Sequence, residues 1–233
     1  MKNKTVIYKN IGRIDYKEAW DLQENLFADI LKTKEDNTKT GNQLPTTNYL
    51  LFCEHPHVYT LGKSGNENNL LINNDLLKSK GASLIKINRG GDITYHGPGQ
   101  LVGYPLLDLD NFNVSIKDYI YGLEEAIINT LKHYNIIGTR MDGATGVWLD
   151  AGIKNKEKKI CAFGIRASRL VTMHGFALNI NTDLDFFKHI IPCGLTGKGV
   201  TSMQNELGKP IDVSQIKRVI TDELQNIFGM KFV

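Results

Sequence analysis

The hydrophobic positions of this chain follow two different periods. Three segments repeat apolar residues at three- and four-residue steps, the spacing of an amphipathic helix. Elsewhere the apolar residues form short runs bounded by turn-forming residues, as strands do. The most regular helical repeat begins after Ser115, a residue type that caps helix N-termini. Its apolar positions are Ile116, Ile120, Leu123, Ile127, Leu131 and Tyr134.

Two further helices are predicted near the ends of the chain. One lies in residues 16–34, and the other begins at Val213. The polar segment 33–48 is rich in Lys, Thr and Asn and predicts a loop after the first of these helices. The apolar positions are Ala19, Leu22, Leu26 and Ile30 in the first helix, and Val213, Ile216, Ile220, Leu224 and Ile227 in the second.

Short apolar runs predict the strands. The first opens the chain, several more precede residue 97, and three after Gly143 predict an antiparallel meander with a lysine-rich first turn. The runs are 5–10, 49–55, 58–62, 83–88, 92–96, 145–150, 159–167 and 172–180. No regular strand–helix alternation indicates a doubly wound sheet. The sequence therefore predicts an α+β fold, a single domain over residues 1–233 with a mixed β-sheet and packed helices.

Composition excludes several classes of protein. The chain has 233 residues, 41% hydrophobic and 23% charged, which is ordinary for a globular protein. A net charge of +3 is too small to indicate nucleic-acid binding, and no apolar run is long enough to cross a membrane. The N-terminus lacks a signal-peptide pattern, and the three cysteines have neither disulfide-framework nor zinc-site spacing. We therefore expect a cytoplasmic protein without a metal site.

The densest concentration of candidate chemistry is the glycine-rich segment 88–109. It contains five glycines together with Arg89, Asp92, Tyr95 and His96. Glycines let a ligand approach the backbone closely, but they also mark ordinary tight turns. The segment matches neither the phosphate-binding loop nor the dinucleotide-binding fingerprint. A ligand-binding segment and a pair of turns both remain open at this point.

Lys159 is a candidate base. It ends a lysine-rich turn and directly precedes an apolar strand, so its side chain could point inward. A partly desolvated lysine has a lowered pKa and can accept a proton. The other lysines of the turn are expected to be solvated. His174, in the next apolar strand, is more typical of a structural histidine than of a catalyst.

Cys193 is a candidate nucleophile. It lies between Pro192 and Gly194, in a pattern that predicts a turn, and loops often carry functional residues. Cys53 and Cys161 lie in apolar strand patterns, where a cysteine behaves as a small hydrophobic residue. Cys161 nevertheless remains an alternative, because strand alternation places it on the same face as Lys159.

Several of these motifs, in this order, resemble the lipoyl(octanoyl) transferase family. They are EHPHVYTLGKSG at 54–65, RGGDITYHGPGQLVGYPLLDL at 89–109, GVWL at 146–149, KKICAFGIRASR at 158–169, HGFALNIN at 174–181 and PCGL at 192–195. The resemblance covers about residues 48–203. It implies the α+β fold shared by lipoate and biotin protein ligases.

The resemblance also implies a reaction and a set of site residues. The family moves an octanoyl group from acyl carrier protein to a lysine of a lipoyl domain, through a thioester on a cysteine. Its catalytic residues match Cys193 and Lys159. Its substrate-contacting segments match Arg89, Gly90, Gly91, Asp92, Ile93, Thr94, Tyr95, His96, Ala162, Phe163, Gly164, Gly175, Phe176 and Ala177.

The implied partners are two carrier proteins. Octanoyl acyl carrier protein is the donor, and the acceptors are lipoyl domains of 2-oxoacid dehydrogenases and the glycine cleavage H protein. Exchange between thioesters is close to thermoneutral, so we expect no ATP and no cofactor. Because both partners are usually acidic in this family, we expect the basic turn around Lys154, Lys156 and Lys158 to attract them.

Three alternatives stay open. An ATP-dependent lipoate or biotin ligase of the same fold would activate its acid as an adenylate and need no thiol. A non-catalytic protein would bind acyl groups or lipoyl domains without turnover. An amidotransferase of this fold would move the acyl group between two lipoyl-bearing proteins, also through a cysteine.

Overall fold

The computed structural model describes residues 2–191 and 198–233. The strands are β1 (Thr5–Arg13), β2 (Asn48–Glu54), β3 (Val58–Leu61), β4 (Ser83–Lys86), β5 (Ile93–His96), β6 (Gln100–Leu106), β7 (Val147–Leu149), β8 (Lys158–Ser168), β9 (Val171–Asn179), β10 (Gly199–Val200) and β11 (Lys231–Phe232). The helices are α1 (Tyr16–Thr40), α2 (Asn74–Ser79), α3 (Ile116–Lys132), α4 (Met203–Leu207) and α5 (Val213–Phe228).

The described strands form two sheets. The larger has the order β10-β8-β9-β6-β2-β1-β11, with β7 paired to β8, and it mixes parallel and antiparallel neighbours. The smaller has the order β4-β3-β5. Helices α3 and α5 cover one face of the larger sheet, and α1 covers the other. The predicted α+β class with a mixed sheet is confirmed.

Helix α3 is the element that the sequence predicts most fully. The Ser115 hydroxyl accepts a hydrogen bond from the Asp118 N–H at 3.1 Å and so caps the helix. Leu123, Ile127 and Leu131 are fully buried. Helix α5 packs beside it, and both contribute to the main hydrophobic cluster beneath the sheet.

The prediction of a loop over 33–48 is wrong in its first half, because α1 continues to Thr40. Threonine hydroxyls in the last turns donate to carbonyls four residues earlier, and Lys39 pairs with Glu35. The helix ends at Gly41, whose φ of 73° suits glycine. Local polar contacts thus sustain a helix where the sequence shows no apolar face.

Helix α1 also buries a face shifted from the predicted one. Phe27 and the polar Gln23 are buried, together with Ala19, whereas Leu22 and Leu26 are only partly buried. Gln23 is accommodated because its amide oxygen accepts a hydrogen bond from the His174 N–H at 3.0 Å. A polar residue with a tertiary partner is invisible to hydrophobic periodicity.

The predicted meander is confirmed in β7, β8 and β9, which pair antiparallel. Strand β10 then adds in parallel to the outer edge of β8, with Val200 opposite Lys159. The turn before β5 is joined to the larger sheet, because the Gly90 N–H donates to the Ile165 carbonyl at 3.2 Å. These pairings bring both sheets to one cavity.

Within the described ranges, no helix combines the length and the apolar character needed to cross a membrane.

Candidate active site

A cavity of about 400 Å³ is lined by residues of both sheets and of the loop before β7. Almost all of the predicted substrate-contacting residues line it, although they come from three separate stretches of sequence. They are Arg89, Gly90, Gly91, Asp92, Ile93, Thr94, His96, Ala162, Phe163, Gly164, Gly175, Phe176 and Ala177. Lys159 lines the cavity as well.

Tyr95 is the predicted contact residue that the structure places elsewhere. It is fully buried in a cluster with Tyr59 and Phe187, and its hydroxyl lies 2.7 Å from Nδ1 of His57. Burial raises the pKa of its phenol. Side chains alternate across a strand, so Thr94 and His96 face the cavity while Tyr95 faces away.

Arg89 forms a buried wall of the cavity. Its guanidinium donates to the Thr60 carbonyl at 2.8 Å, to the Thr60 hydroxyl at 2.9 Å and to the Gly90 carbonyl at 2.9 Å. A Cβ placed on Gly164 would lie 2.7 Å from Cδ of Arg89, which is too close for an ordinary contact. Glycine at 164 therefore lets β8 pack directly against the arginine side chain.

Lys159 lies at the start of β8, at the edge where β10 joins. Its Nζ is 4.6 Å from the ring centroid of Trp148, and its carbonyl accepts a hydrogen bond from the Thr201 N–H at 3.0 Å. Lys198, the residue directly before β10, has its Nζ 5.8 Å from the centroid of the same ring. The structure thus places Lys159 against an aromatic surface at the cavity wall.

The two described cysteines, Cys53 and Cys161, are fully buried, and neither lines the cavity. Burial is the largest influence on the pKa of each thiol, and it raises both pKa values. A thiol with a raised pKa is a poor nucleophile. The predicted nucleophile Cys193 lies in the segment 192–197, outside the described residues.

Two histidines at the cavity are held uncharged. Burial lowers the pKa of His96 well below its usual range and lowers the pKa of His174 to about 3. His96 Nδ1 donates to Oε1 of Gln100 at 2.7 Å, because the Gln100 amide nitrogen is used to donate to Oδ1 of Asn179 at 2.9 Å. His174 Nε2 lies 2.9 Å from Oδ1 of Asn88.

The comparisons with known proteins agree with this site. A model of the "Lipoyl protein ligase A/B catalytic domain" family matches residues 15–225. The chain belongs to this family. It is therefore an enzyme, and its sequence relatives place it among the acyltransferases, which confirms the resemblance to the lipoyl(octanoyl) transferase family.

Two relatives are similar over nearly their whole length. An octanoyltransferase of Christiangramia forsetii is 56% identical over 227 residues, which are 97% of this chain and 97% of that protein. An octanoyltransferase of Flavobacterium johnsoniae is 54% identical over 232 residues, which are 99% of this chain and 100% of that protein.

Among solved structures, a lipoate-protein ligase A bound with ATP has a TM-score of 0.69. The match covers 100% of this chain and 88% of the ligase, at 16% identity. At that identity the likeness concerns the fold alone. The ligase-type fold implied by the family resemblance is confirmed.

Sequence reasoning missed several cavity residues of this family member. Tyr16 begins α1, and Val102 and Tyr104 alternate with Gln100 along β6 so that all of them line the cavity. The Tyr104 hydroxyl lies 2.7 Å from Nε2 of His55. The period of two along β6 was a usable signal, but every residue of that strand is buried, so hydrophobicity alone does not say which face meets the cavity.

Proposed function

We propose that this chain transfers an octanoyl group from octanoyl acyl carrier protein to a lysine of lipoyl domains, with Cys193 carrying the group as a thioester and Lys159 exchanging the protons. The relatives named octanoyltransferase support the choice of acyl group. The observation that carries the proposal is that Lys159 shares one cavity with the residues matched to the family's substrate-contacting segments.

Lys159 is the best base among the described residues that line the cavity. Arg89 cannot serve, because a guanidinium stays protonated in proteins. The lowered pKa values of His96 and His174 make both imidazoles weak bases. Lys159 has the one primary amine among the described residues that line the cavity.

Cys193 is supported by the surroundings of the other two thiols. Cys53 and Cys161 are buried away from the cavity and have raised pKa values. The chain on both sides of segment 192–197 reaches the cavity, since Phe187 and Val200 line it. A nucleophile in this segment therefore agrees with the described neighbours on either side.

The proposed reaction has two transfers. Lys159 takes the proton of the Cys193 thiol, and the thiolate attacks the donor thioester carbonyl. The carrier's thiolate leaves, takes up the proton that Lys159 holds and departs as a thiol, which leaves Lys159 neutral again. The neutral amine of the acceptor lysine then attacks the acyl-cysteine, giving an amide, and the proton it loses returns through Lys159 to the Cys193 sulfur.

The cavity offers an apolar wall for the acyl chain. Val102, Phe163 and Phe176 line it. Burying about seven methylene and methyl groups at roughly 0.8 kcal/mol each stabilises the bound chain by at most about 5–6 kcal/mol. Backbone N–H groups of the glycine-rich segment 89–97 are proposed to bind the oxyanion, where one donor is worth roughly a hundred- to a thousandfold in rate.

The remaining expectations fit this proposal. The cavity is lined from both sheets, which supports one catalytic domain over residues 1–233. Lipoyl domains of 2-oxoacid dehydrogenases and the glycine cleavage H protein are the proposed acceptors, and the cytoplasm is the proposed location. We propose that no ATP and no cofactor take part.

The experiment is a transfer assay with octanoyl acyl carrier protein and a purified lipoyl domain, with and without ATP and Mg²⁺. We expect octanoylation of the lipoyl domain at the same rate in both conditions. A requirement for ATP together with free octanoate would show a ligase instead. Binding of both carriers without any transfer would show a non-catalytic protein, and use of an octanoylated lipoyl-bearing protein in place of the acyl carrier protein would show an amidotransferase.

A further inference from the structure

The indole of Trp148 forms the surface against which Lys159 lies. The two residues are directly paired across β7 and β8, and Lys159 Nζ lies 4.6 Å from the ring centroid. Trp148 is 1% exposed, and its Nε1 donates to the Ala144 carbonyl at 2.9 Å. Ala144 lines the cavity, so the ring is fixed to the same loop that borders the site.

Gly146 brings this loop into contact with the lysine side chain. A Cβ placed on Gly146 would lie 3.2 Å from Cε of Lys159 and 2.9 Å from the Cys161 carbonyl. The φ of Gly146 is 138°, a conformation that other residues rarely adopt. The loop backbone therefore sets one boundary of the space that the Lys159 side chain occupies.

Glu124 holds the Gly146 loop through a hydrogen bond. Its carboxylate is almost fully buried, and Oε1 accepts a hydrogen bond from the Gly146 N–H at 2.9 Å. Oε2 accepts from Nε of Arg140 at 3.1 Å. The neighbouring Glu125 also binds Arg140, at 2.8 Å, and is not bonded to Gly146. Glu124 thus connects helix α3 to the loop beside Lys159.

We propose that Trp148 and Glu124 are positioning residues for Lys159, with the indole as the surface on which the amine rests and Glu124 holding the Gly146 loop that keeps amine and indole together. This inference rests on the proposed function of Lys159. It assigns a task to two buried residues that touch neither the reacting thioester nor the thiol in the proposed reaction.

Two other described lysines at this edge of the sheet, Lys158 and Lys198, have contacts with carboxylates. Lys198 Nζ lies 5.8 Å from the centroid of the Trp148 ring and 3.5 Å from a carboxylate oxygen of Glu157. Lys158 pairs with Glu206 at 2.9 Å. Lys158 and Lys198 thus each have a carboxylate partner of their own.

The first experiment compares Glu124→Ala, Glu124→Gln and the matched control Glu125→Ala, each checked for folding by its melting temperature. We expect Glu124→Ala to lower the rate of octanoyl-enzyme formation about ten- to a hundredfold, with the KM for octanoyl acyl carrier protein within about threefold of wild type. Glu124→Gln keeps an acceptor for the Gly146 N–H and should recover most of the rate. Glu125→Ala should behave as wild type.

A second readout does not depend on turnover. The reaction of Lys159 with 2,4,6-trinitrobenzenesulfonate is followed by peptide mass spectrometry as a function of pH. We expect Trp148→Leu to lower the pH midpoint of Lys159 labelling by roughly 0.5 to 1.5 units, because the lost cation–π contact stabilises the charged amine. Trp148→Phe keeps an aromatic face and should shift it less.

The outcomes separate the two proposals. If Lys159→Ala keeps full activity, the proposed function of Lys159 is wrong, whereas the labelling profile still tests its positioning. If the Lys159 profile is the same in wild type, Glu124→Ala and Trp148→Leu while all three are folded, the positioning proposal is overturned. Equal rate losses in Glu124→Ala and Glu125→Ala would also overturn it.

Discussion

Lys158 and Lys159 are adjacent in sequence, yet their amines have different partners. Lys158 Nζ lies 2.9 Å from a carboxylate oxygen of Glu206 and 3.5 Å from one of Asp150, whereas Lys159 Nζ lies over the ring of Trp148. The hydrogen bond to Glu206 is the largest of the causes that raise the pKa of Lys158. Only Lys159 of the two lines the cavity.

Because of this difference, Lys158 is a matched control for Lys159. We expect Lys159→Ala to lower the rate of octanoyl transfer by at least about a hundredfold, the usual size of a general acid–base contribution. Lys158→Ala should stay within about threefold of wild type. Steady-state transfer rates with both carriers measure this, and similar losses in the two variants would argue against a specific role for Lys159.

Gly164 and Gly199 form a second matched pair of strand residues. Alanine at 164 places its Cβ 2.7 Å from Cδ of Arg89, whereas alanine at 199 makes an ordinary contact of 3.4 Å with Cγ of Lys158. We expect Gly164→Ala to displace Arg89 and to raise the KM for the octanoyl donor about tenfold or more. Gly199→Ala should leave it nearly unchanged, and equal KM values would contradict the packing described for Arg89.

His174 should make stability depend on pH. Its pKa is about 3 in the folded chain and about 6.5 in an unfolded one, so the unfolded state binds more protons between these values. The contribution of neutral His174 to the free energy of unfolding is fully present above pH 6.5. It is lost as the pH falls towards 3, by up to ~1.4 kcal/mol per pH unit.

The check is urea unfolding at pH 7.5 and pH 5.0 for wild type and His174→Gln. Because His55 and His96 also have lowered pKa values, the variant should lose part of the pH dependence and not all of it. If the unfolding free energy differs between the two pH values by the same amount in His174→Gln as in wild type, His174 is not held neutral.

The lysine-rich turn is expected to attract acidic carriers, although its members differ. Lys154 and Lys156 are exposed, whereas Lys158 is paired with Glu206. We predict that Lys154→Gln with Lys156→Gln weakens the salt dependence of kcat/KM for the acyl carrier protein more than Lys158→Gln does. Unchanged salt dependence in the double variant would exclude steering by this turn.

Much of the fold could be predicted because hydrophobic period and caps suffice for elements that pack through one apolar face. Helix α3, with Ser115 as its cap, and the β7–β9 meander are of this kind. The extension of α1 to Thr40 could not be predicted, because its last turns depend on threonine-to-carbonyl bonds and a glycine cap.

The site was less accessible to sequence reasoning. The glycine-rich segment and Lys159 could be singled out, but Tyr95 was included with its neighbours although strand alternation turns it away. Tyr16 and Tyr104 reach the cavity from distant elements, and no local pattern connects them. Contacts formed by tertiary packing, such as Glu124 with Gly146, leave no spacing signal.

The central claim is that the acyl group rests on the sulfur of Cys193, and intact-mass measurement tests it most directly. Wild type, Cys193→Ser and Cys161→Ala are each incubated with octanoyl acyl carrier protein, without acceptor, and their masses are compared. We predict a gain of one octanoyl group, sensitive to hydroxylamine, on wild type and on Cys161→Ala, and no such thioester adduct on Cys193→Ser. A hydroxylamine-sensitive adduct that persists on Cys193→Ser, or that disappears from Cys161→Ala while the protein is folded, would contradict the account.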